Sequence, residues 1–136
     1  MLVTCLTNVG ARTNAYDRRH HARIMVRFEE VLAEHLSRPL QMPELCQLIA
    51  VSDRTLRSCC AEFIGMTPTR YVLLRRLEAV RRALLNADPD KANVTEVAHG
   101  FGFTQPGRFV GTYRATFGEI PSTTLQRTLA TRVAAS

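Results

Sequence analysis

The sequence predicts a helical fold made of two helix-turn-helix units joined by a long helix. Three observations lead there: a repeated apolar seam, start and stop signals around each copy, and an amphipathic stretch between the copies. Leu56, Cys60, Ile64, Gly65 and Pro68 recur 53 residues later as Phe109, Tyr113, Phe117, Gly118 and Pro121. Each copy therefore carries apolar residues at i, i+4 and i+8, then Gly, two residues and Pro. Upstream the offset drops to 52, matching Glu44, Leu45 and Cys46 to Glu96, Val97 and Ala98, so the second copy has one extra residue in its turn.

The elements follow in chain order. Residues 1–21 are poor in periodic apolar positions and rich in Thr, Asn and Arg, so they read as a flexible lead-in or linker remnant. From Ile24 the apolar residues Ile24, Phe28, Val31, Leu32 and Leu36 recur every three to four positions, predicting an amphipathic helix that ends before Pro39. Met42 to Ile49 is apolar at Leu45, Leu48 and Ile49 and suits a helix of about two turns. Ser52 is placed to cap the next helix through its hydroxyl, and Gly65 to close it in the left-handed conformation.

Thr67-Pro68 reads as a cap followed by a first helical residue, where proline's missing amide does no harm. The long helix then runs from Thr69 to about Asn86, with Tyr71, Leu74, Leu77, Val80 and Leu84 on one face and Asp88-Pro89 as its stop. In the second copy Asn93 and Glu96 form a capping box, Gly118 terminates, and Pro121 opens a last helix. The expected boundaries are a first unit over residues 22–67, a linker helix over 69–87, a second unit over 93–130 and a flexible tail over 131–136.

Composition narrows the function. The formal net charge is +6, and Arg supplies all but one of the 18 basic residues, the exception being Lys91. Arg presents a planar set of donors that fits phosphate and guanine edges, which favours nucleic acid, although a GC-rich coding sequence enriches Arg as well. Cys5, Cys46, Cys59 and Cys60 form no CxxC pair and have no histidines at zinc spacing, so they read as reduced, buried thiols. His20, His21, His35 and His99 are spaced neither as metal ligands nor with a nucleophile and carboxylate, so neither a metal nor a cofactor nor an enzyme is expected. No apolar run approaches the ~20 residues that cross a bilayer, and no signal peptide is recognisable, so the expected location is cytoplasmic, at the nucleoid.

The motif strings carry a family resemblance. Val51-Ser52-Asp53-Arg54-Thr55-Leu56, Gly65-Met66-Thr67-Pro68-Thr69-Arg70-Tyr71, Arg76-Leu77, Val97-Ala98-His99-Gly100-Phe101-Gly102-Phe103 and Phe117-Gly118-Glu119-Ile120-Pro121-Ser122, in that order, resemble the DNA-binding domain of AraC/XylS-family transcription regulators. The resemblance covers about Ile24 to Gln126. Arg54-Thr55-Leu56, Leu77-Glu78-Ala79-Val80-Arg81-Arg82 and Gly107-Arg108-Phe109 are further similar to the branch that contains ethanolamine-operon regulators.

The resemblance implies an all-α domain of seven helices whose third and sixth helices enter the major groove of duplex DNA. It places base-reading positions at Arg54, Arg57 and Ser58 in the first unit, and at Pro106, Gly107, Arg108 and Gly111 in the second, with Gln105 adjacent. The chain departs from the family at Ser58, where Arg is usual, and at Cys60, where a large aromatic is usual. Pro106, Gly107 and Gly111 cannot donate side-chain hydrogen bonds, so readout by the second unit narrows to Arg108 and Gln105, and the first unit is expected to dominate specificity.

Ser52, Thr55, Arg70, Arg75, Thr104 and Arg114 are the expected phosphate contacts, with helix capping as the competing role for the hydroxyls. Arg76 reads either as a phosphate contact or as an internal ion-pair partner for a residue such as Glu62. A connecting helix of about 18 residues is roughly 27 Å long, near the ~34 Å turn of DNA, so two recognition helices are expected in successive major grooves. The alternative, favoured by the glycines and proline of the second unit, is a helical module that binds another protein, such as RNA polymerase or a sensory domain, with DNA contact secondary.

Overall fold

The computed structural model describes residues 2–38 and 40–127, with side chains from Ala15 onward. Among the described residues there are seven helices and no strand: α1 Leu2–Glu34, α2 Met42–Ile49, α3 Asp53–Phe63, α4 Pro68–Asn86, α5 Val94–Gly100, α6 Pro106–Phe117, and α7 over residues 121–127. The expected tail at 131–136 lies outside the described residues. Two compact units result, one of α1, α2 and α3 ending at Thr69, the other of His35–Leu40 and the chain from Arg70 onward.

In the first unit α1 packs against both α2 and α3, which pack on each other. Ile24, Met25, Phe28, Val31 and Leu32 of α1 are buried with Leu45, Cys46 and Ile49 of α2 and Leu56, Cys59 and Cys60 of α3. Spacing of three and four puts these residues on one stripe of each helix, and their burial supplies most of the unit's stability. Leu48, expected in this core, is instead 39% exposed and Cys46 takes its place. The stripe of so short a helix holds positions 45, 46 and 49, and Leu48 falls beyond its edge.

The helix before Ile24 departs from the expectation of a flexible lead-in, because α1 runs back to Leu2. Once Ile24 to Leu32 is fixed by packing, each further residue adds a hydrogen bond without a new nucleation step, so helix propagates toward the N-terminus without the apolar periodicity that the sequence lacks there. Local contacts support it: the Tyr16 and His20 rings stack at 6.3 Å, and His21 Nδ1 lies 2.7 Å from Glu62 Oε2 on α3.

The second core gathers Leu77, Val80 and Leu84 of α4, Ala98 of α5, Phe109 and Tyr113 of α6, and Leu125 of α7. Phe103, Phe109, Tyr113 and Phe117 form a staircase of tilted rings with centroids 4.9, 5.7 and 4.7 Å apart, within the range where edge-to-face contacts add to burial.

Start and stop signals operate as the residue types dictate. Ser52 Oγ accepts from the Thr55 amide at 3.1 Å, and Asn93 Oδ1 accepts from the amides of Thr95 and Glu96 at 2.8 and 3.3 Å. Gly65 and Gly118 stand at φ +66° and +75° after α3 and α6. The internal repeat also explains one unusual backbone. Ala50, at φ +63°, ends α2 at the position that Gly102, at φ +89°, holds after α5. The turn thus demands a left-handed residue in both units, and the first meets that demand with alanine at a strain of ~1 kcal/mol.

A candidate nucleic-acid interface on two helix-turn-helix units

The first unit presents the N-terminal half of α3. Leu56, Cys59 and Cys60 turn inward, so Arg54, Arg57 and Ser58 project outward and are exposed. Arg57 Nε sits 3.0 Å from Asp53 Oδ2, an exposed i,i+4 ion pair that holds the guanidinium near the start of the helix. Ser52 Oγ accepts the Thr55 amide and donates to Thr55 Oγ1 at 2.9 Å, so its hydroxyl is committed to the cap. Of the two expected hydroxyl contacts here, Thr55 is half-buried and keeps its own proton to offer.

The second unit presents α6, whose residues Phe109 and Tyr113 face the core while Pro106, Gly107, Arg108 and Gly111 are exposed. Gln105 occupies the N-cap without a side-chain cap bond, and Pro106 follows at the first turn, so the side chain of Gln105 is not used in closing the helix. Thr112, one turn beyond Arg108, was not singled out by sequence; its Oγ1 donates to the Arg108 carbonyl at 2.9 Å. Leu73, Phe103, Thr104, Arg108 and Thr112 line a groove beside α6. Thr104 and Arg114 are exposed at either end of this helix, Arg70 is exposed on α4, and Arg75 is half-buried there.

Glycine at 107 and 111 has no internal cause. A Cβ built at either position meets nothing within 4 Å, and neither has a positive φ. Helical glycine costs ~0.5–1 kcal/mol relative to alanine, so the free protein would gain from replacing them. By the 53-residue offset these positions match Arg54 and Ser58, so one unit offers side chains where the other offers bare backbone.

Arg76 has an internal partner, but not the carboxylate its ion-pair reading expected. Its Nε and Nη2 both donate to the Phe101 carbonyl, at 3.0 and 2.9 Å, and its guanidinium carbon lies 4.9 Å from the Phe103 ring centroid. Glu62, the partner considered from sequence, instead meets His21 and Arg18, the latter at 3.9 Å. Burial lowers the Arg76 pKa from its usual value, the cost of placing a cation in this half-buried site. Sequence missed this role because a main-chain carbonyl leaves no trace in residue types.

Among the described side chains the thiols of Cys46, Cys59 and Cys60 are buried, and burial raises all three, Cys60 most strongly, to about 11; Cys5 lies outside the described side chains. Among the described residues no cluster of His, Cys, Asp and Glu could hold a metal ion. No described helix is long and apolar enough to cross a membrane.

A pair of short helices meeting at a left-handed turn, the second helix exposing its first two turns, defines a helix-turn-helix, and this chain has two. Residues 45–127 match the helix-turn-helix domain family, and the chain belongs to that family, in its AraC-type form. Over 99 residues it is 38% identical to XylDLEGF operon transcriptional activator 2 of Pseudomonas putida, covering 73% of this chain and 63% of that protein. XylDLEGF operon transcriptional activator 1 of the same organism is 38% identical over 101 residues, 74% of this chain but 30% of the relative. The chain thus spans between about a third and two thirds of the length of these relatives.

Among solved structures, a probable AraC family transcriptional regulator from Rhodopseudomonas palustris CGA009 superposes with a TM-score of 0.67 at 29% identity, covering 77% of this chain and 96% of that one. An AraC-type regulator from Chromobacterium violaceum, with a TM-score of 0.71 at 21% identity over 77% of this chain and 91% of its own, has the same fold. This is a DNA-binding domain of transcription regulation.

Proposed function

We propose that the chain reads a specific duplex DNA site through α3 and α6, each entering a major groove, and activates transcription of the adjoining operon. The observation that carries this is the matched build of α3 and α6. Each buries two seam residues one turn apart, Leu56 and Cys60 in α3 and Phe109 and Tyr113 in α6, and at its N-terminal half has exposed residues on the other side, including Arg54 and Arg57 in α3 and Arg108 in α6. Arginine donates to guanine O6 and N7 as a pair, which makes Arg54, Arg57 and Arg108 the readers, with Ser58 and Gln105 beside them. Pro106, Gly107 and Gly111 contribute close approach of backbone in place of donors. Thr55, Arg70, Arg75, Thr104 and Arg114 anchor phosphates, while Ser52 acts through its cap.

The length of α4 supports two successive grooves as the target, since 19 residues extend ~28 Å against a DNA turn of ~34 Å. Activation is proposed because the relatives quoted are named as operon activators. Contact with RNA polymerase, or with a sensory domain, is the further partnership that such a role calls for. Assignment to the branch of ethanolamine-operon regulators rests on the Arg54-Thr55-Leu56 and Gly107-Arg108-Phe109 strings.

Selection of bound sequences from a randomised duplex pool tests the proposal. Two short conserved elements one helical turn apart are the expected product. Recovery of a pool with no conserved element, or affinity that does not fall as salt is raised, would overturn it.

A further inference from the structure

The two most exposed large hydrophobic side chains among the described residues are Tyr16 at 67% and Val26 at 61%, and both lie on α1. Val26 stands within a face on which Arg19, Arg23, Arg27, Glu30, Ala33 and Glu34 are all exposed. At ~100° per residue, Arg19, Arg23, Glu30 and Glu34 fall within an arc of about 60°, turned away from the buried stripe that is centred on Phe28. The arginines occupy the N-terminal part of this face and the glutamates the C-terminal part, with Val26 between them.

Such a face is complementary to itself when turned end for end. In an antiparallel pair whose positions sum to 53, Arg19 faces the partner's Glu34 and Arg23 faces the partner's Glu30. Val26 then meets the partner's Arg27, and the two Val26 side chains lie next to each other at the two-fold axis. A two-fold interface needs this property, because the same patch supplies both sides. Valine at the centre with opposite charges toward the ends also has the apolar core and polar rim of a specific interface. We propose that the outward face of α1, from Arg19 to Glu34, docks antiparallel on the same face of a second copy of this chain.

The competing use of these charges is weak. Glu30 pairs with Arg27 on its own helix at 3.4 Å, an exposed i,i+3 contact of the kind that contributes little and reforms readily with another arginine. Four turns of helix bury less than the ~1,200 Å² of a standard interface, so the dimer belongs to the weak class, with a dissociation constant on the order of tens of micromolar.

The test is sedimentation equilibrium on the full chain without DNA, so its failure leaves the DNA-binding reading untouched. The 15.3 kDa chain should approach twice that mass as concentration rises to about 300 µM. Arg19→Glu/Arg23→Glu and Glu30→Arg/Glu34→Arg chains, with helix content checked by circular dichroism, should each stay monomeric, at least tenfold weaker than the parent. An equimolar mixture of the two should regain a dimer. A parent that stays at 15.3 kDa throughout, reversals that leave the dimer intact, or a mixture that stays monomeric would each overturn the proposal. The first of these outcomes is the one expected if an acidic protein is the true occupant.

Discussion

Arg76 grips the main-chain oxygen of Phe101 with two guanidinium nitrogens, at 3.0 and 2.9 Å, fixing the end of α5 to α4. That carbonyl stands where the α5–α6 turn begins, so the contact sets where α6 starts. A charged donor is worth ~1.5–3 kcal/mol in such a bond, and the Phe103 face adds ~0.5–1 kcal/mol. Arg76→Met should therefore lower the stability of the second unit by ~2–3 kcal/mol in urea unfolding, and Arg76→Lys should recover less than half, since ammonium lacks the planar fork. A methionine variant within ~0.5 kcal/mol of the parent would remove this role.

The same unit buries a directed chain of hydroxyls. Thr124 Oγ1 donates to Glu119 Oε1 at 2.8 Å, so its single proton is spent and Tyr113 must donate to Thr124 across their 2.7 Å contact. Arg127 Nη2 lies 3.0 Å from the other carboxylate oxygen. Thr124→Val strands the Tyr113 hydroxyl and takes the hydroxyl donor from Glu119 Oε1, and should cost ~2–3 kcal/mol, whereas Tyr113→Phe removes a donor and should cost ~0.5–1.5 kcal/mol. Thermal unfolding of the two variants checks the order; a costlier Tyr113→Phe would reverse the direction of donation.

Cys60 makes a statement about pH. Burial is the main cause of its rise to about 11, followed by the neighbouring Cys59 and by Glu29. The folded thiol holds its proton above the ordinary value of 9.0, so its stabilising share is complete below pH 9 and is lost as pH climbs toward 11. Stability should decline over that window by ~2–3 kcal/mol more in the parent than in Cys60→Ala. At neutral pH the thiol should resist alkylation until the chain is unfolded, and rapid labelling of Cys60 in the folded protein would contradict its burial.

Gly107 and Gly111 separate what the fold wants from what the interface wants. Gly107→Ala/Gly111→Ala should stabilise the free protein by ~1–2 kcal/mol, because the added methyl groups meet nothing within 4 Å. The same variant should bind its DNA site at least tenfold more weakly if backbone approach is the function of these positions. Unchanged binding would leave the two glycines without a role in DNA contact.

The fold was legible wherever local rules coincide with packing. Ser52, Gly65, Pro68, Asn93 and Gly118 each announce a helix end through their own backbone or side-chain chemistry, and each stands at one. The apolar seam of α6 was legible for the same reason, since Phe109, Tyr113 and Phe117 recur every turn. What escaped were features set by tertiary context. The helix before Ile24 propagates from a packed neighbour and needs no apolar pattern of its own. The Arg76 clamp is addressed to a carbonyl, and the left-handed Ala50 becomes intelligible only beside Gly102 in the other unit. In the candidate interface, the family resemblance named Arg54, Arg57 and Arg108, and all three are exposed, but the ion pair of Arg57 with Asp53 needed coordinates.

Base reading by α3 is the claim on which the account turns, and Arg54→Ala measures it directly. Affinities of parent and variant are compared by titration on the selected site and on a random duplex at one salt concentration. The account predicts a loss of ~1–3 kcal/mol on the selected site and almost none on the random duplex. Equal losses on both DNAs would mean that Arg54 only neutralises phosphate, and α3 would then not be a base-reading helix.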